Sequence, residues 1–133
     1  MENAEKNPIK GGEFIIRNVT PNEIFTPEEW SEEQGMIAQM CDDFILQEVT
    51  PNIERIDAME PGLMEKLLEK AGELGLLGLS VPEELGGMGL DFKTSLLAAE
   101  RLGKGYSFSV AYGAHTGIGT LPLLYYGNDA QKQ

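Results

Sequence analysis

Cysteine, histidine and long apolar runs are all scarce in these 133 residues. A single thiol, Cys41, excludes an internal disulfide and a cysteine-rich metal site. The single histidine, His115, would leave a metal site to carboxylates, and no local spacing supports one. No run reaches the roughly 18 apolar residues of a membrane span, and the first residues lack a signal-peptide pattern. These scarcities predict a soluble protein of the reducing cytoplasm.

Positive charge is also scarce, with 10 Lys plus Arg against 22 Asp plus Glu and a formal net charge of -12. Such a surface repels a nucleic-acid backbone, so nucleic-acid binding is not predicted. Hydrophobic residues at 41% and charged residues at 24% are typical of globular domains. The length suits one ordinary domain. We therefore expect a single acidic domain with one core.

A capping box predicts the start of the first helix. Thr26 can cap it, Pro27 suits the first helical position, and Glu29 closes the box. Pro51 removes a backbone donor, so the helix is expected either to stop near Val49 or to kink and continue. Helical spacing gives its inward face as Trp30, Ile37, Met40, Cys41, Phe44 and either Glu48 or Val49.

Three further helices are predicted over residues 61–74, 92–102 and 108–126. Gly75 should end the first of them, and Asp91 and Ser107 should cap the other two. The last is almost free of charge and is expected to be buried nearly all round. The inward faces of the first two are predicted as Leu63, Leu67, Ala71 and Leu74, then Phe92, Leu96, Ala99 and Leu102.

The segments between and around these helices give weaker signals. Residues 1–25 are predicted as a partly extended arm, in which residues 13–17 could form a strand or an extended stretch lying on the domain. Residues 76–90 hold many glycines and predict a structured loop, with residues 79–81 its only strand-like piece. Residues 130–133 begin a helix with no room to continue, which predicts a domain cut from a longer chain.

Two features that suggest chemistry are interpreted as structural. Residues 86–89, Gly-Gly-Met-Gly, lack the Gly-Lys-Ser/Thr and Gly-x-Gly-x-x-Gly patterns, so phosphate binding is not predicted. The adjacent carboxylates at 42–43 and 83–84 diverge from each other and are interpreted as solvated charge. Composition and spacing alone therefore predict an acidic, mostly α-helical domain and no specific function.

Two stretches resemble the acyl-CoA dehydrogenase family. Residues 74–91, LGLLGLSVPEELGGMGLD, resemble the loop after the family's second helix. Residues 112–122, YGAHTGIGTLP, with residues 126–128 and 131–133, are similar to its fourth helix and the start of its fifth. The likeness covers about residues 26–133. Residues 10–14 and 25–28 resemble the bacterial long-chain or very-long-chain branch.

The resemblance implies an all-α domain over residues 26–133, an orthogonal bundle of four to five helices with a glycine-rich loop. In the family this N-terminal domain precedes a β-barrel domain and a C-terminal helical domain. The implied activity is FAD-dependent α,β-dehydrogenation of fatty acyl-CoA in β-oxidation, with an electron-transferring flavoprotein as acceptor and a homo-oligomeric enzyme. The catalytic glutamate and most flavin contacts lie beyond residue 133. No catalytic residue is therefore predicted here, and the chain alone is expected to be inactive.

The resemblance also implies that the fourth helix forms one wall of an acyl tunnel. Small residues there leave room for a long chain, and burial gains about 0.8 kcal/mol per methylene. A competing interpretation is that the two helix glycines only admit a neighbouring helix. The whole chain could also be a non-enzymatic helical protein-binding module or part of an acyl-CoA oxidase. The positions that match the wall are Val110, Gly113, Ala114, Gly117, Ile118 and Leu121.

Overall fold

The computed structural model describes residues 9–24, 26 and 29–132, and these residues form helices and turns without any strand. The predicted all-α fold is confirmed. The chain divides into two compact units, residues 1–32 and residues 33–133. No helix in the described part of the chain is both long enough and apolar enough to cross a membrane. The α-helices are α1 Glu13–Ile16, α2 Glu32–Phe44, α3 Ile53–Asp57, α4 Leu63–Glu73, α5 Phe92–Leu102, α6 Ser107–Gly113, α7 Thr120–Tyr126 and α8 Asp129–Lys132.

The first unit contains a helical turn where a strand or an extended stretch was expected. Residues 13–16 form α1, and Ile15 N–H donates to the Gly12 carbonyl over 2.9 Å. Glu13 accepts from the Lys10 N–H over 2.9 Å, which closes the turn locally. Arg17 then pairs with Glu23 over 2.8 Å. Local hydrogen bonds and this ion pair therefore outweigh the β propensity of the short apolar run.

The predicted start of the first helix is wrong for its described residues. Trp30 and Ser31 are not helical, and α2 begins at Glu32. Glu29 N–H donates to the Thr26 carbonyl over 3.0 Å. Pro27 and Glu28, which belong to the same prediction, lie outside the described residues.

The helix continues through Pro51 by a change of winding. A π turn, Ile45–Val49, and a 3-10 turn, Thr50–Asn52, connect α2 to α3. The Thr50 hydroxyl donates to the Ile45 carbonyl over 2.9 Å, and the Asn52 amide donates to the Glu48 carbonyl over 2.7 Å. The Ile45 carbonyl also accepts from the Thr50 N–H, so these side-chain bonds reinforce the irregular winding beside the proline. Of the two possibilities at Pro51, the structure therefore shows continuation.

The core lies where α2, α4 and α6 meet. Phe108 is fully buried, with its ring 5.3 Å from Phe44 and 6.4 Å from Tyr112. Cys41 is fully buried beside them, and desolvation raises the pKa of its thiol to about 11. The sulfur therefore packs as a neutral hydrophobe. The predicted inward residues that are confirmed as buried are Ile37, Cys41, Phe44, Val49, Leu63, Leu67, Ala71 and Leu102.

Other predictions about burial are wrong. Leu74 is 44% exposed because it follows the end of α4 at Glu73. The buried residues of α5 are Thr94, Leu97, Ala98 and Leu102. Of the predicted face, Phe92 and Leu96 are 74% and 53% exposed, and Ala99 is exposed as well. An apolar stripe predicts that a helix face will be covered, but it does not show whether this chain supplies the cover.

The fourth predicted helix is correct in extent and wrong in burial. It runs without a break through α6, a second π turn at Ala114–Gly119, and α7. We call this run the long helix. Ser107 is its first residue and not its cap, since Tyr106 occupies the cap position with a φ of 50°. All residues of the long helix are described, and only Phe108 and Tyr112 among them are buried. Its apolar composition therefore leaves surface that this chain does not cover.

Asp42 is not simply solvated, although its position beside Asp43 predicts solvated charge. Its carboxylate accepts from Lys104 over 2.6 Å and from Arg101 over 3.4 Å. These contacts tie α2 to the end of α5. Pairs this exposed contribute little to stability, so their effect is to orient the two helices.

Asp91 caps α5 as predicted, and it gives a pH-dependent prediction. Its carboxylate accepts from the Thr94 hydroxyl over 2.6 Å and from the Thr94 N–H over 2.8 Å. These bonds hold the pKa of Asp91 below its ordinary value of 3.8. Asp91→Ala should lower the free energy of unfolding by about 1 kcal/mol at neutral pH, measured by urea unfolding.

The pH dependence of this loss follows from the lowered pKa. The ionised cap stabilises the fold above the ordinary carboxyl pKa, and this contribution disappears as the pH falls through the lower folded-state value. Asp91→Asn is the matched control, because asparagine caps without ionising. A difference between Asp91→Ala and parent that stays constant into acid would contradict this account.

Candidate functional site

An open groove of about 480 Å³ lies between α5 and the long helix, and we call it the apolar groove. The segment from residue 76 to residue 90 closes one side of it. No charged side chain and no histidine lines it among the described residues. The lining residues are Leu76, Leu77, Leu79, Ser80, Leu90, Phe92, Ser95, Leu96, Ala99, Leu102, Ser109, Tyr112, Gly113, Thr116, Gly117, Leu121 and Tyr125.

Three hydroxyl groups of the long helix that line this groove donate to backbone carbonyls and not to the groove. Ser109 donates to the Leu102 carbonyl over 2.6 Å, and Thr116 donates to the Tyr112 carbonyl over 2.9 Å. The Tyr112 hydroxyl donates to the Leu76 carbonyl over 3.1 Å, and burial raises its pKa to about 12. Each of these donors is already used by backbone. The wall therefore suits a hydrocarbon and penalises an unpaired polar group.

The six residues predicted for the tunnel wall divide into two groups. Gly113, Gly117 and Leu121 line the apolar groove. Val110, Ala114 and Ile118 are exposed and lie outside its lining, with Val110 and Ile118 at 73% and 81% exposure. The structure therefore brings three of the six together along one side of the long helix.

The opposite wall comes from residues that the sequence did not indicate as site residues. Phe92, Leu96 and Ala99 lie on a face of α5 that borders the groove. Their helical spacing was the available signal, but it predicts core. α5 has two apolar faces, one toward the core and one toward the groove, and spacing alone cannot separate them.

The two glycines of the wall are not explained by close packing within this chain. A Cβ built on Gly113 or on Gly117 would meet no atom within 4 Å in the described structure. Glycine costs on the order of 1 kcal/mol in a helix relative to alanine. The interpretation in which these glycines admit a neighbouring helix therefore has no partner among the described residues.

The glycine-rich loop uses its own donors. The N–H groups of five consecutive residues, 86–90, donate to carbonyls of residues 78–83 over 2.8–3.1 Å. Gly86 and Gly89 have φ values of 84° and 62°, which other residues rarely adopt. The segment at residues 79–81 forms turns and not a strand. With these donors used internally, the loop serves as a rigid support for Leu79 and Leu90 in the groove.

A second groove of about 450 Å³ lies on another side of the long helix. His115 borders it, and no group of metal-ligating side chains forms in the part of the chain that the structure describes. The residues of this second groove are Val81, Leu85, His115, Gly119, Thr120, Leu123, Leu124, Gln131 and Lys132.

Comparisons with known proteins agree on one family. Residues 31–133 match the model of the acyl-CoA dehydrogenase N-terminal domain. A probable acyl-CoA dehydrogenase of Bacillus subtilis (strain 168) is 48% identical over 124 residues, which cover 93% of this chain and 21% of that protein. The mitochondrial short-chain specific acyl-CoA dehydrogenase of Sus scrofa is 36% identical over 111 residues, covering 83% of this chain and 27% of that protein.

A solved structure gives the same result. The crystal structure of an acyl-CoA dehydrogenase complexed with FAD from Bacillus anthracis superposes with a TM-score of 0.86 and 47% identity. The match covers 92% of this chain and 22% of that one. The chain thus spans 21–27% of the length of these relatives. It belongs to the acyl-CoA dehydrogenase family, and residues 31–133 correspond to the family's N-terminal domain.

Proposed function

We propose that this chain is the N-terminal part of an FAD-dependent acyl-CoA dehydrogenase that acts on long-chain fatty acyl-CoA in β-oxidation. The observation that carries the proposal is the apolar groove with Gly113 and Gly117 open toward it. Its lining on the long helix runs from Ser109 to Tyr125, about 24 Å at 1.5 Å per residue. In this proposal the groove binds the acyl chain and excludes water from it. The length of this lining and its two open glycines also support the long-chain branch of the family.

The glycine-rich loop and the apolar groove, as far as the structure describes the chain, offer no complete site for a flavin. The N–H donors of the glycine-rich loop are used within the loop, and the groove wall offers no charged partner for a pyrophosphate. We therefore assign most of the FAD site to parts of the full-length protein outside this chain. When bound, FAD would supply the acceptor for the hydride that leaves the β carbon of the substrate.

The chain alone is proposed to be inactive. Abstraction of the α proton needs a base within hydrogen-bond reach of it. Among the described residues the groove wall carries no carboxylate, imidazole or amine. The base must therefore come from another part of the enzyme, and the residues here bind and orient the acyl chain.

The surface of the long helix supports a larger assembly. Val110, Ile118 and Tyr126 are 73%, 81% and 89% exposed. Apolar surface of this kind is normally covered by further domains or subunits. We propose that the rest of the enzyme and its homo-oligomer cover it, that an electron-transferring flavoprotein is the electron acceptor, and that the enzyme is cytoplasmic.

Gly113→Leu in the full-length enzyme tests the acyl groove. The added side chain would enter open space in the wall and displace methylene groups of a long substrate. Excluding two methylenes should lower kcat/KM by about tenfold for long-chain acyl-CoA relative to short-chain acyl-CoA. The measurement is kcat/KM across a series of chain lengths.

Gly103→Leu is the matched control for this substitution. A Cβ at Gly103 also meets no atom within 4 Å, but Gly103 does not line the groove. Its chain-length profile should match that of the parent enzyme. An unchanged profile for Gly113→Leu would overturn the groove as the acyl site.

A further inference from the structure

Four residues spaced four apart on the long helix line the apolar groove, over a length at which regular winding would turn them away from a single line. In an ideal α-helix, positions four apart drift by about 40° at each step, because each residue turns the chain by about 100°. Gly113, Gly117, Leu121 and Tyr125 would then spread over about 120° of the circumference. All four nevertheless line the same groove.

The second π turn lies within this line of residues and removes the drift. A π turn holds more residues per turn than an α turn, so each residue rotates the chain by less. Thr120 N–H reaches back to the His115 carbonyl, five residues away. The Thr120 hydroxyl donates to the same oxygen over 2.8 Å, which reinforces the turn. Gly117 and Gly119, both in this turn, ease the irregular winding.

We propose that the second π turn sets the register of α7, so that Leu121 and Tyr125 extend the acyl-binding wall begun by Gly113 and Gly117. This inference rests on the proposed function of the groove. It makes Leu121 a specificity-determining residue for chain length. The same turn directs Thr120 and Leu124 into the second groove.

A regular helix would give the opposite assignment. Without the extra residue of the π turn, α7 would be rotated by about 100°, the angle of one residue. Thr120 and Leu124 would then occupy the positions that Leu121 and Tyr125 hold now. A threonine hydroxyl would enter the wall in place of a leucine. The two registers therefore predict effects at different residues.

The experiment compares Leu121→Trp and Leu124→Trp in the full-length flavoenzyme. Both replace a leucine of α7 by the same bulky side chain, and they differ only in the groove that they border. For each variant, kcat/KM is measured with acyl-CoA substrates of increasing length, and the flavin absorbance per protein reports folding. Leu121→Phe is the second variant if Leu121→Trp does not retain flavin.

We expect Leu121→Trp to lower the ratio of long-chain to short-chain kcat/KM by about tenfold, the effect of excluding two methylenes. Leu124→Trp should leave this ratio at the parent value. Equal effects, no effect at either residue, or an effect at Leu124 alone would overturn the register. Gly113→Leu separates the two proposals. If Gly113→Leu lowers the ratio of long-chain to short-chain kcat/KM and Leu121→Trp does not, only the register is rejected. No change at Gly113 would reject the acyl groove and the register together.

Discussion

Phe108→Ala is expected to lower the free energy of unfolding of the 133-residue chain by about 3–5 kcal/mol. The ring is fully buried and contacts Phe44 of α2 and Tyr112 of α6, so its removal leaves a cavity where the two helices meet. A loss of this size is a large fraction of the stability of an ordinary domain. Urea unfolding followed by far-ultraviolet circular dichroism measures it.

Phe92→Ala provides the matched control for the core substitution. Phe92 is 74% exposed at the start of α5, so the same truncation removes little buried surface. We expect a loss of less than about 1 kcal/mol, consistent with substitutions at exposed positions. Equal losses for Phe92→Ala and Phe108→Ala would contradict the core described here.

Local sequence signals predicted the ends of several helices well. Asp91 caps α5, and that helix ends at Leu102 as expected. Gly75 follows α4 with a φ of 76°, the left-handed conformation that glycine tolerates best. These features depend on bonds between residues close in sequence. They can therefore be recognised without knowledge of the tertiary fold.

Features that depend on distant neighbours could not be predicted in the same way. The stripe of Phe92 and Leu96 predicts core, but it borders a groove whose other wall is the long helix. Gly113 lines the groove and Ile118 does not, and this difference depends on the rotation of the helix, which the second π turn changes. Apolar spacing assumes a regular period, so it cannot show where that period changes.

Gly87 shows another limit of the sequence, because its need for glycine arises from a contact six residues away. A Cβ built there would overlap the Val81 carbonyl oxygen and would lie 2.5 Å from the Val81 carbonyl carbon and from its Cβ. Hydrogen bonds hold both sides of this contact: Gly87 N–H donates to the Pro82 carbonyl over 3.1 Å, and Gly89 N–H donates to the Val81 carbonyl over 2.8 Å. Neither backbone can therefore move apart without breaking the loop.

Gly87→Ala should accordingly cost about 3 kcal/mol of stability, at the upper end of ordinary overpacking. Gly103→Ala is the matched control, since its Cβ would meet no atom within 4 Å, and it should be neutral or stabilising by less than about 1 kcal/mol. Urea unfolding of both variants measures the difference, and similar midpoints would show that the loop can open without cost. If the apolar groove binds the acyl chain as proposed, Gly87→Ala in the full-length enzyme should also weaken binding of acyl-CoA at every chain length, because the loop carries Leu79 and Leu90 into this groove. A loss of binding that is equal at all chain lengths distinguishes disruption of the loop from the chain-length-dependent loss expected for Gly113→Leu.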